Sequence, residues 1–158
     1  MEGALEEGAL NAIVPDQTTV DHMKSLHTAA IDARNGYKEA LEDAEGKGMS
    51  PLFREMISLH QRHADALAHE LGKAGVQPDD SGSFMSTIHK TIMDIRSLFG
   101  GLDASVLPGL IDGEKRNVGA YDDALKDALP GASLASLLAG QRADLIKKIA
   151  DMEAMKPA

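Results

Sequence analysis

Apolar residues recur along the chain at steps of three and four, in four long blocks separated by glycine, proline and small polar residues. The first block runs from about Thr18 to Glu45, with Met23, Leu26, Ala30, Ala33, Tyr37, Leu41 and Ala44 on one face. Thr18 followed by Asp21 has the spacing of a capping box, which places the helix start there. Gly36 lies inside this helix and weakens it slightly. The run EGKGMS at 45–50 reads as a turn. Ser50-Pro51 then opens a second helix, with Ser50 as N-cap and Pro51 at the first helical position. Leu52, Met56, Leu59, Leu67 and Leu71 form its stripe, and it ends between Gly72 and Gly75. Residues 76–83, VQPDDSGS, are loop by composition.

A shorter amphipathic helix follows over 84–99, with Phe84, Ile88, Ile92, Ile95 and Phe99 on one side and Gly100-Gly101 closing it. The third long helix begins at Asp103 or Ser105 and carries Leu107, Leu110, Ile111, Val118, Tyr121 and Leu125 inward. Pro108 sits in its first turn or kinks it, and Pro130-Gly131 stops it after Leu129. The fourth runs from Ser133 to Met155, with Leu134, Leu137, Leu138, Leu145, Ile149 and Met152 inward. The links one-to-two and three-to-four are short, so each of those pairs is an antiparallel hairpin. The link two-to-three is long enough to travel the length of the bundle, which leaves helices two and three parallel. The chain therefore reads as all-α, a four-helix bundle with a long helical crossover between helices two and three. Residues 1–15 read as a flexible acidic tail ending at Pro15, and 16–156 as one domain.

Composition narrows the chemistry. Lys and Arg number 16 against 25 Asp and Glu, a net charge of −9, which repels phosphate backbones and argues against nucleic acid as a partner. The chain has no cysteine, so disulfides, thiol catalysis and thiolate metal sites are excluded. Aromatics are 3% with no Trp, too few for base-stacking RNA recognition. No apolar run approaches the ~18 residues of a membrane span, and the acidic start lacks the basic and apolar regions of a signal peptide. A cytoplasmic protein with no membrane role is expected. The apolar stripe of 84–99 either packs on the bundle or forms the surface of a homodimer or other homo-oligomer.

At 100° per residue, several polar side chains fall inside the apolar arcs. They are His60 and His63 on helix two, Glu114 on helix three and Gln141 on helix four, with Asp144 at the edge of the last stripe. On helix one the matching position is Ala30, flanked by His27 and Arg34. These positions lie near mid-helix, so they can share one layer. Buried imidazoles and carboxylates are costly unless paired, hydrogen-bonded or metal-bound. Two His at i and i+3 project from one face, and a carboxylate from a facing helix completes a set suited to iron, manganese or zinc. A buried ion pair such as Glu114 with protonated His63, closed by a water, satisfies the same groups without metal. His22 and His27 read as surface and boundary residues, and the eight Met mostly as core filler.

The stretch HQRHADAL at 60–67 resembles the second-helix Glu-x-x-His motif of ferritin and rubrerythrin. Gly113-Glu114 followed by Tyr121 resembles their third helix, and Tyr37 resembles the Tyr one heptad past their first-helix Glu ligand. More closely, Leu26 to Met152 resembles the bacterial DUF2383 family of ferritin-like four-helix bundles. That resemblance rests on Tyr37, LFREMISLHQRHADALAHELGKAG, QPDDSGSF, LIDGEKRNVGAYDDALKDALP and GQRADLIKKI. It implies an ancestral carboxylate-bridged di-metal centre, with Glu on helices one and three and Glu-x-x-His on helices two and four. Here Ala30 stands at the first Glu, His60 at the second-helix Glu, and Gln141 and Asp144 at the fourth-helix Glu and His; His63 and Glu114 match. The expectation is a bundle without a working di-iron centre and without catalysis, serving a stress-related, interaction or structural role. The alternative is a metal-binding protein, with iron, manganese or zinc held by His60, His63, Glu114 and Asp144 near Gln141, in oxidoreductase or storage work.

Overall fold

The computed structural model describes residues 16–41, 44, 48–80, 103–127 and 131–157. The tail 1–15 and the helix expected over 84–99, with the oligomer surface assigned to it, lie outside the described residues. Among the described residues there are four α-helices: α1 (Gln17–Ala40), α2 (Ser50–Lys73), α3 (Leu107–Asp127) and α4 (Ala132–Met155). No strand occurs among the described residues.

Three helix starts differ from the sequence reading: α3 begins at Leu107 and not at Asp103 or Ser105, behind a short 3₁₀ turn, and the other two are those of α1 and α2. The N-cap of α1 is Asp16, whose Oδ1 accepts the Thr19 N–H at 2.8 Å, so Thr18 lies inside the helix. That bond holds the Asp16 carboxyl below the usual carboxylate range. In α2 the N-cap position falls to Met49, with no capping side chain, and Ser50 is already helical. Met49 is drawn into the core, which fixes the chain one residue earlier than Ser50-Pro51 suggests. The other ends follow the local chemistry. α1 stops at Ala40 and not at Glu45, because Leu41 N–H turns to Lys38 O and Ala44 N–H to Leu41 O, tightening the chain to three-residue steps. Beyond α2, Gly75 has φ +76°, and Val76 N–H reaches back to Leu71 O at 2.9 Å while Val76 packs on the core. This is a Schellman end, and it agrees with the stop expected between Gly72 and Gly75. Asp103 caps a short 3₁₀ turn, Ala104–Val106, through Ser105 N–H, and the turn leads into α3.

The bonds between helices set their directions. Arg34 on α1 meets Gln61 on α2. Glu55 and His63 on α2 meet Lys148 and Asp144 on α4, and Lys115 and Asp122 on α3 meet Glu153 and Arg142. Rising numbers on α2 and on α3 thus meet falling numbers on α4. Both run antiparallel to α4, so they are parallel to each other, and the end of α2 and the start of α3 lie at opposite ends of the bundle. At 1.5 Å per residue the bundle's length is roughly 36 Å for a helix such as α2.

The core is one large apolar cluster drawn from all four helices, with a small second cluster of Ala30, Ile31 and Ala64 between α1 and α2. Most of the expected stripe residues are inside, with Met23, Leu26, Met56, Leu67, Leu107, Leu138, Leu145 and Met152 all buried, while Leu41, Leu125 and Leu137 are only partly buried at the core's edge. Phe53, which the stripe of α2 omitted, is fully buried and meets Tyr37 edge-on at 5.5 Å between ring centres. α1 packs along α2 and α3 along α4, whereas α2 and α4 touch at few points.

Candidate functional site

The helix phases that bury Leu59, Leu67, Val118 and Leu145 also bury four of the five polar residues singled out from the sequence. His60, His63, Glu114 and Gln141 are each at most 4% exposed, and Glu114 has no exposure at all. Asp144 lies at the rim, with its side chain 54% exposed. Ala30 is buried beside them on α1.

These groups form two arms. In the first, Glu114 Oε1 accepts the Tyr37 hydroxyl at 3.2 Å and lies 3.0 Å from His60 Nε2. Its Oε2 is buried and has no hydrogen-bond partner among the described residues. In the second, His63 Nε2 lies 3.0 Å from Asp144 Oδ2. The Tyr121 hydroxyl donates to Gln141 Oε1 at 2.6 Å, and Gln141 Nε2 donates to the backbone oxygen of His63 at 3.3 Å. The arms touch through rings: Tyr37 stacks on His60, His60 meets His63 edge-on at 6.2 Å, and His63 meets Tyr121 edge-on at 6.4 Å.

Electrostatics follow burial. Burial pushes Tyr37 well above the usual phenol range, and the Glu114 carboxylate adds to it. Tyr121 is raised in the same direction, first by burial and then by Glu114 and Asp144. Both are neutral donors at physiological pH. Burial also lowers His63, against the opposing pull of Asp144, so this imidazole is held towards its neutral form.

A small cavity opens against the layer, about 10 Å3, room for one water-sized molecule. Its walls are Leu26, Ala29 and Ala30 on α1, His60 and His63 on α2, Asn117 and Tyr121 on α3, and Leu145 on α4.

A two-metal centre needs bridging carboxylates to hold ions about 3.5–4 Å apart. Here one carboxylate of the layer is buried and the other stands at the rim, so the residues present do not fit that group. Among the described residues, no three His, Asp, Glu or Cys side chains gather around one point in the manner of metal ligands. His60 and Glu114 come together, and His63 turns instead to Asp144.

Sequence reasoning missed three features. His27, read as a boundary residue, is buried and lies 3.4 Å from Asp80, which folds back from the segment after α2. The Tyr121–Gln141 bond joins two residues whose phases were known but whose pairing was not. Asn117 and Ala29 gave no signal, since both are only half-buried.

The fold and its polar interior define an all-α helical bundle. The family described as a domain of unknown function, DUF2383, matches residues 18–127, more than two thirds of the chain. The chain belongs to that family. The match covers α1 to α3 and leaves Gln141 and Asp144 on α4 outside it. No curated protein matches the chain. Among the described residues no helix is long and apolar enough to cross a membrane.

Proposed function

We propose that the protein is a non-catalytic bundle of ferritin-like plan whose interior layer is a hydrogen-bonded network, and that it acts through its surface or its assembly. One observation carries this reading: Glu114 Oε1, His60 Nε2 and His63 Nε2 are each turned to protein partners and not to a common point. Glu114 Oε1 serves both Tyr37 and His60, and His63 Nε2 serves Asp144. Ala30 and Gln141, at positions where the resemblance places carboxylates, offer no charge. The test is metal content by plasma mass spectrometry, on untagged protein incubated with Fe(II), Mn(II) or Zn(II) and then gel-filtered. Well under one ion per chain is expected. One or two ions per chain, retained through the column, would overturn the reading.

A second reading has its own support, the unpartnered Glu114 Oε2. A buried carboxylate oxygen without a donor is expensive and suits a cation. In that case a single iron, manganese or zinc is held by His60, His63, Glu114 and Asp144, with redox or storage chemistry. His63→Ala then releases the ion, while Lys147→Ala on the exposed side of α4 retains it. Equal metal content in the two variants counts against this reading.

A further inference from the structure

The polar layer is not closed by protein atoms alone. The described hydrogen bonds engage His60 and His63 only through Nε2, which leaves Nδ1 of each ring for a further partner. Both rings line the cavity, together with the Asn117 side chain and Tyr121. The Tyr121 hydroxyl spends its proton on Gln141 and keeps its oxygen as an acceptor. The far wall is apolar and belongs mostly to α1: Leu26, Ala29 and Ala30, with Leu145 from α4. Ala29 on α1 and Asn117 on α3, both half-buried, are the most exposed residues of its lining.

A void of this size with polar groups on one side holds water when two or more of those groups can bond it, and stays dry when they cannot. We propose that this cavity is a binding site for one exchangeable water, hydrogen-bonded within the His60, His63, Asn117 and Tyr121 wall. The water joins the two arms of the layer, which share only ring contacts otherwise. The inference rests on the metal-free reading above and gives that network its missing member.

The sign of a substitution at Ala29 separates a wet cavity from a dry one. Ala29→Val sends methyl groups towards the cavity, and Ala29→Ser sends a hydroxyl. Both residues cost the helix slightly against Ala, so their difference reads the cavity. With a water present, Val displaces it and strands imidazole nitrogens, whereas Ser replaces a bond. Ala29→Val is then expected to melt about 2–4 °C below Ala29→Ser. A dry cavity gains from filling, and the order reverses. Oxygen-17 relaxation dispersion of the solvent supplies the direct count. The natural chain should show one more long-lived water than Ala29→Val. Equal counts, or a Val variant as stable as the Ser variant, overturn the proposal. Metal content is measured on the same samples. Stoichiometric metal overturns the metal-free reading whatever the water count, while a missing water in metal-free protein overturns the water site alone.

Discussion

Inside the bundle, each side chain's chemistry is set by what surrounds it more than by its type. His63 shows this most simply. Burial lowers its proton affinity, and Asp144 only partly restores it. Between that lowered value and the ordinary 6.5, the unfolded chain binds a proton that the folded chain refuses. Stability therefore rises with pH across this window, is fully present above it, and is lost on acidification. His63→Gln is expected to flatten the dependence of the urea midpoint on pH between about pH 5 and 7; a profile as steep as that of the natural chain would refute the assignment. At Glu114 the expected effect is on stability itself. Tyr37→Phe removes one of the two donors on Oε1 and should cost about 1–3 kcal/mol in urea unfolding, because the remaining carboxylate is buried. The inward placement of His60, His63 and Glu114 was legible from helical phase alone. Their pairing was not. Whether His63 meets Glu114 or Asp144 depends on the axial register between helices and on the rotamer, and neither is written in the period of one helix. His27 was misread for the same reason, since its neighbour Asp80 arrives from a different segment.

Along the helices, glycine offers a pair of opposite expectations. Gly75 holds φ +76° at the end of α2, with nothing near the place a Cβ would occupy. Gly75→Ala is therefore strained by backbone alone and should cost about 1 kcal/mol. Gly140 lies exposed in mid-α4, also with open space around it, and its φ is outside the left-handed range. Gly140→Ala should stabilise by about 0.5–1 kcal/mol. Chemical denaturation of the two variants side by side checks both signs. Helix existence and the stripes were readable because apolar spacing repeats over many turns. Helix ends were less so: Asp16 outcompeted Thr18 as a cap, and Met49 took the position that Ser50-Pro51 advertised. A cap is decided by one hydrogen bond or one buried neighbour, which leaves little trace in a periodic pattern.

Across the whole molecule, the two hairpins are unequal seams. α1 lies along α2 and α3 along α4, while α2 and α4 meet through Lys148–Glu55 at 2.7 Å, His63–Asp144 and the Gln141 bond to His63. The first two of these, partly solvated ion pairs, hold less firmly than apolar packing. In native-state hydrogen exchange, amides of α2 are expected to be more protected than those of α4, which can detach at its outer edge. Equal protection in both would mean that the bundle opens only as a unit. The parallel course of α2 and α3, anticipated from the long link, follows from both of them opposing α4.

That arrangement has a consequence for how the halves recognise each other. The first hairpin carries Tyr37, His60 and His63; the second carries Glu114, Gln141 and Asp144. The bonds Tyr37–Glu114, His60–Glu114, His63–Asp144 and Gln141–His63 all cross from one hairpin to the other. Apolar stripes alone would tolerate sliding by a helical turn, about 5.4 Å, with Leu and Met exchanging neighbours. The polar layer does not tolerate it, because a shifted Glu114 would be buried without a donor. It works as a tooth in a ratchet, stopping the second hairpin at one height against the first.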